Sequence, residues 1–179
     1  MAINEREILD QVNKSWNNCG EKCSKYVGAL TAEVIRQALQ NDGIPVSSRD
    51  VFIQGIPIEF DLIVPRHDAA CPTDGILYKP DEVIAVLEIK ASGLFDYKSK
   101  NRIETCRDKV QELNPNVFFG YVTLSERKSF HDKNFHEDEW TYPLFWWHPL
   151  KALKEHERYN STGFWQKLLS ELHKRVNAQ

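Results

Sequence analysis

The chain has 179 residues, 41% of them hydrophobic and 27% charged, which suits one domain with a real core and excludes global disorder. A net charge of −3 and a pI near 6.1 exclude a uniformly basic surface, so any nucleic-acid contact falls to a local patch. No apolar run approaches the roughly 20 residues of a membrane span, and Glu5, Arg6, Glu7 and Asp10 interrupt the N-terminus before a signal peptide's apolar stretch forms. A cytoplasmic protein without a membrane partner is the expectation. Cys19, Cys23, Cys71 and Cys106 form no CxxC pair, and read as free thiols of a reducing compartment rather than as a metal site.

Residues 4–16 place Ile8, Leu9, Val12 and Trp16 at helical spacing, and 17-NNCGEKC-23 reads as a break. A second helix is predicted over 24–40, with Ser24 as N-cap, the stripe Val27, Leu30, Val34 and Ala38, and 41-NDG-43 as its stop. The segments 51–55 and 56–65 predict a strand pair with Gly55 at or near the turn. Pro72, Asp74, Gly75 and Pro80 make 66–81 mostly loop. A strand over 82–91 follows, then a helix over 98–113 that ends at 114-NPN-116, then the apolar strand 117-VFFGYVTL-124. The stretch 125–139 is polar. An aromatic strand, 142-YPLFWW-147, precedes two helical segments, the last with Phe164, Leu168, Leu169, Leu172 and Val176 on one face. No internal repeat or linker divides the chain, so residues 1–179 are read as one domain. The element order predicts an α/β fold, a central mixed sheet with helices on both faces. A helix of crossover length joins 82–91 to 117–124, which predicts that those strands lie parallel or nearly adjacent.

The stretch 83-VIAVLEIKAS-92 sets the functional question. Its run 83–87 lacks alternation and reads as a central strand buried on both faces, yet Glu88 and Lys90 follow. Strand side chains alternate. In 58-IEFDL-62, Ile58, Phe60 and Leu62 share one side and Glu59 and Asp61 the other. In 87-LEIK-90, Glu88 and Lys90 share a side opposite Leu87 and Ile89. If the two strands pair, Asp61, Glu88 and Lys90 converge. Carboxylates without histidine or thiolate suit a hard cation, Mg²⁺ with Mn²⁺ as substitute. Such an ion polarises a phosphate and activates a water, while the lysine steers that water and offsets developing charge. The bland alternative is an edge strand with solvated charges and a Glu88–Lys90 surface pair.

The pattern Asp61…Glu88-Ile89-Lys90 resembles the PD-(D/E)XK nuclease superfamily, with its restriction-endonuclease-like α/β/α core. The likeness covers about residues 25–125. Phe60 stands where the family name has proline. The stretch 60–92 is also similar to a group of uncharacterised, nuclease-like bacterial proteins with a "VIEVKS"-type strand. The resemblance implies a metal-dependent nuclease acting on phosphodiester bonds, most naturally in DNA and as an endonuclease, in restriction, phage defence or repair. It implies Asp61 and Glu88 as metal ligands, Lys90 as the residue that positions or activates water, the Ile89 carbonyl in the metal shell, and Glu33, in 28-GALTAEVIRQAL-39, as a further ligand. It also implies a homodimer or a partner subunit where two strands are cut. The other reading is a non-catalytic nucleic-acid- or protein-binding module that keeps the fold.

Several lesser candidates remain. Glu59 shares a side with Asp61 and is either a supporting ligand or solvated. Glu33 flanks its helix's apolar stripe and is either a ligand or an ordinary surface residue. In 98-KSKNRIETCRDK-109, Lys98, Lys100, Arg102, Arg107 and Lys109 stand against Glu104 and Asp108. They are either phosphate contacts, Lys98, Lys100, Arg102 and Lys109 above all, or a solvated helix face. Lys109 or Gln111 could also reach the site. Trp140, Tyr142, Phe145, Trp146 and Trp147 read as core packing before base stacking. His131, His136 and His148 match no ligand spacing. GxxxxGK[ST], GxGxxG and a nucleophile elbow are all absent, which argues against nucleotide-driven, dehydrogenase or serine-hydrolase chemistry.

Overall fold

The structure is a computed structural model that describes residues 4–18, 24–67, 69, 75–93, 97–127, 140–147 and 159–178. Its helices are α1 (Glu5–Asn18), α2 (Ser24–Asn41), α3 (Tyr97–Leu113) and α4 (Phe164–Val176). Its strands are β1 (Val51–Ile53), β2 (Ile56–Phe60), β3 (Leu62–Pro65), β4 (Leu77–Tyr78), β5 (Val83–Gly93), β6 (Phe118–Arg127), β7 (Thr141–Trp147) and β8 (Tyr159–Ser161). The mixed α/β architecture with helices on both faces is as expected. The expected central mixed sheet is the five-stranded β3-β5-β6-β7-β8, and a separate three-stranded sheet, β2-β1-β4, accompanies it.

The large sheet is the middle layer. One face carries Leu62, Val64, Ala85, Leu87, Ile89 and Val122 against α1, α2 and α4. The other carries Ile63, Val86, Phe119 and Tyr121 against α3 and the inner faces of β1, β2 and β4. β5 lies between β3 and β6, and Val83 through Ile89 are all buried, as the apolar run predicts. It runs parallel to β6, with α3 as the crossover, and antiparallel to β3.

Local sequence explains most ends. The break after α2 is a left-handed turn at Gly43 (φ +81°), where the Ile44 N–H donates to the Leu39 carbonyl at 3.0 Å and Ile44 is buried beneath it. Gly55 (φ +92°) sits in the β1–β2 turn. The predicted loop 66–81 includes β4 and a 3₁₀ turn, Pro80–Glu82, closed by the Lys79 N–H donating to Glu82 Oε2. Residues 125–127 extend β6 instead of opening the polar loop. Of the two C-terminal helical segments, α4 is present and β8 precedes it; the first would fall on 148–158, outside the described residues, as do residues 19–23 of the first break, 128–139 and the histidines at 131, 136 and 148. Of the aromatic cluster, Tyr142 and Phe145 are core residues, as expected. No helix among the described residues is long and apolar enough to cross a membrane.

A buried carboxyl on α1 ties that helix to α4. Glu5, 8% exposed, accepts the Trp165 N–H at 2.8 Å in the first turn of α4, where backbone donors lack intrahelical partners. Burial pushes its carboxyl above the usual range, against backbone hydrogen bonds from Trp165 and Gly163 that pull it down. His173 Nε2 pairs with Asp42 Oδ2 at 2.6 Å and fastens α4 to the end of α2. Glu5→Ala should cost about 1 kcal/mol in urea denaturation through the lost cap, and Glu5→Gln, which keeps the acceptor, should cost less. Equal losses in the two variants would show that the cap does not hold α4.

Candidate active site

The strand expected over 56–65 is broken at Asp61. β2 belongs to the small sheet and β3 to the large one, and Asp61 is the bend between them. The bend corrects the expected alternation. Phe60 packs on the α3 side, whereas Leu62 packs on the opposite side, against α2 and α4. A continuous strand would have put both on one face. β3 pairs with β5 from Leu62 opposite Leu87, so Asp61 stands at the point where β3 starts and Glu88 comes next on β5.

The three charges therefore converge as their spacing predicts. The Ile89 N–H, which β3 begins too late to engage, donates to Asp61 Oδ2 at 2.7 Å. Lys90 Nζ donates to the same Oδ2 at 3.1 Å and to Glu88 Oε2 at 3.1 Å. In an extended strand a residue's N–H and carbonyl point to the same side, so the Ile89 carbonyl lies on the β3 side of β5. Glu88 is only 9% exposed, while 46% of the Lys90 side chain remains open to solvent. The cluster is thus a buried acid, Glu88, and a part-exposed one, Asp61, beneath a reachable ammonium.

The electrostatics follow from that depth. Burial first, and the neighbouring Asp61 second, push the Glu88 carboxyl up to about 7, against the pull of Lys90. Burial alone would lower Lys90, but Glu88 and Asp61 outweigh it and hold the ammonium above its ordinary value. The thiol of Cys106 on α3, buried on the same side, is raised by burial and then by Glu88; Arg102 and Lys109 counter this.

Other expected residues are placed apart. Glu33 does not join the cluster. α2 packs on the sheet face opposite the Glu88 side chain, and the Glu33 carboxylate takes two bonds from Arg36, at 2.9 and 2.7 Å, and one from Gln37 at 2.8 Å. Among the described residues no group of three or more His, Cys, Asp or Glu could hold a metal. Two carboxylates and a backbone carbonyl nevertheless fit Mg²⁺, which commonly takes one or two carboxylates and fills its shell with water and substrate phosphate. Glu59 is exposed and, with Ile58, Arg102 and Thr105, lines a cleft of about 460 Å³ between β2 and α3. Arg102 and Lys109 are exposed on α3. The side chains of Lys98 and Lys100 lie outside the described residues. Thr123 on β6 was not anticipated. It is 1% exposed and pairs in register with Lys90, one strand over on the same face. A small polar residue at the parity of Tyr121, in the apolar and aromatic run 117–124, was the available signal.

Sheet, crossover and the acid-bearing seam give the chain a restriction-endonuclease-like fold. It is similar to two solved structures of NucC. The cAAA-bound form from P. aeruginosa ATCC27853 is 14% identical with a TM-score of 0.59, over 96% of this chain and 88% of that one. The cAAA-bound form from E. coli MS115-1 is 13% identical with a TM-score of 0.60, over 96% and 87%. No family model and no curated protein matches the chain.

The raised Glu88 pKa predicts a pH dependence for the metal-free protein. The folded state keeps a proton on Glu88 up to about pH 7, whereas the unfolded chain releases it near pH 4.3. Wild-type stability is therefore lost as pH rises between these values. Glu88→Gln, which stays neutral, should gain thermal stability relative to wild type across that window, with chelator present. A stability difference that does not change with pH would refute the shift.

Proposed function

We propose that this chain is a metal-dependent nuclease that hydrolyses phosphodiester bonds, with DNA as substrate and endonucleolytic action. The observation that carries the reading is the buried Glu88 beside the part-exposed Asp61, both bonded by the exposed ammonium of Lys90. Two adjacent acids, one of them buried, are costly in the metal-free fold, and a divalent cation offsets that cost. Their closeness to the restriction-endonuclease-like seam supports hydrolysis over mere packing.

In this reading Asp61, Glu88 and the Ile89 carbonyl hold Mg²⁺ or Mn²⁺. The ion, when bound, polarises the scissile phosphate and lowers the pKa of a coordinated water. Lys90 stays protonated, so it orients the water and offsets charge on the phosphate rather than abstracting a proton. Asp61 also fixes Ile89 and thereby the height of the carbonyl beside it. Arg102 and Lys109, with Lys98 and Lys100 on the same helix, steer the phosphodiester backbone. A second copy or a partner subunit would serve a cut through both strands, in a cytoplasmic role in restriction, phage defence or repair.

The test is cleavage of supercoiled and single-stranded DNA with Mg²⁺ or Mn²⁺. Asp61→Ala and Lys90→Ala should each lower the rate by about a hundredfold or more, and chelation should abolish it. Equal activity in all three preparations would refute the assignment. Binding without cleavage under any condition would mark a non-catalytic nucleic-acid module instead. Arg102→Ala should weaken DNA binding similarly for all sequences and flatten its salt dependence by about one unit of slope, measured by fluorescence anisotropy.

A further inference from the structure

Three buried side-chain polar atoms among the described residues have no hydrogen-bond partner: Nε of Arg49, Nε of Arg175 and Oγ1 of Thr123. The two guanidiniums have other donors, and Arg49 uses one on the Ala29 carbonyl at 2.7 Å. Thr123 has a single polar side-chain atom and is 1% exposed. An unpaired hydroxyl in a core costs free energy that a methyl group of the same shape would not. Valine has that shape and suits a strand equally well. Packing therefore does not account for threonine here.

Its position does. Register pairs Thr123 with Lys90 and Tyr121 with Glu88, so all four side chains rise on the α3 side of the large sheet. Thr123 flanks the charged pair on the β6 side, away from Asp61, which stands at the β3 side. Side chains paired in register on neighbouring strands stand side by side, with Cβ atoms about 5 Å apart, yet Thr123 Oγ1 makes no direct hydrogen bond to either charged neighbour; a bridging water would supply the missing partner. The polar partners such a water needs, commonly about three, are at hand. The Lys90 ammonium has three N–H groups, and Asp61 and Glu88 take two of them. The Thr123 hydroxyl can both donate and accept, and Glu88 supplies carboxylate oxygens.

We propose that Thr123 Oγ1 holds a water against the Glu88–Lys90 pair, and that this is the water consumed in hydrolysis, which makes Thr123 a positioning residue. The proposal rests on the nuclease reading. In the step it serves, the water oxygen forms a new bond to phosphorus and the bridging P–O bond breaks. The water gives up a proton to solvent, and the leaving oxygen takes one up. Thr123 aims the water without entering that exchange.

The test compares wild type, Thr123→Val and Thr123→Ser in DNA cleavage with Mg²⁺ and in thermal denaturation. Thr123→Val should lower kcat about tenfold or more with KM within about twofold, while its melting temperature is unchanged or higher, since an unpaired buried hydroxyl is gone. Thr123→Ser should restore kcat. A merely structural threonine predicts the reverse, lost stability with intact kcat, and that result overturns the proposal, as does a valine variant with wild-type turnover in an active wild-type background. A wild type that cleaves nothing overturns the nuclease reading itself and this inference with it.

Discussion

One carboxylate oxygen, Oδ2 of Asp61, binds the backbone of β5 at Ile89 and the ammonium of Lys90 together. The rest of the site depends on this double contact. Asp61 lies where the chain leaves the small sheet for the large one, and β3 begins only after it. The β5 backbone beyond Leu87 would otherwise lose its partner on that side. A side chain fills the place of a strand, and an unpaired N–H in a sheet's interior is avoided. The same oxygen ends a seam between two sheets, completes a ladder and anchors a charge.

The site's second constraint is depth. Glu88 belongs to a strand whose other residues from Val83 to Ile89 are all buried and apolar. In such surroundings a carboxylate is costly unless compensated, and Lys90 compensates two acids with one positive charge. The shortfall appears as a Glu88 carboxyl held near neutrality. Perturbed acids beside a specific charge partner are also a recurrent mark of functional centres. The strain is local, because the two apolar layers on either side of the large sheet are continuous and carry the fold.

Much of this was legible in advance. The periods of Ile8, Leu9 and Val12 and of Leu168, Leu169 and Leu172 locate α1 and α4, and the unalternating run 83–87 identifies β5 as central. The parity of Glu88 and Lys90 put both on one side of that strand, and the spacing of the elements put β5 and β6 parallel. The alternation drawn through 58–62 failed because it assumed one uninterrupted strand. Phe60 and Leu62 satisfy different cores, and only a turn of the chain at Asp61 lets both be buried. Glu33 looked available from its helical position, but Arg36 and Gln37, one turn along the same helix, are closer partners.

The sequence by itself therefore determined the helices, the buried central strand and the kind of chemistry its charges suit, because these follow from periodicity and residue type within a short window. Tertiary structure alone decided that the chain divides into two sheets at Asp61, that Glu33 stays with Arg36, that Thr123 rises beside Lys90, and that burial pushes the Glu88 carboxyl up to about 7. Each of these depends on which distant segments become neighbours and how deeply they exclude water. Desolvation and register are properties of the packed whole, and no local stretch of residues encodes them.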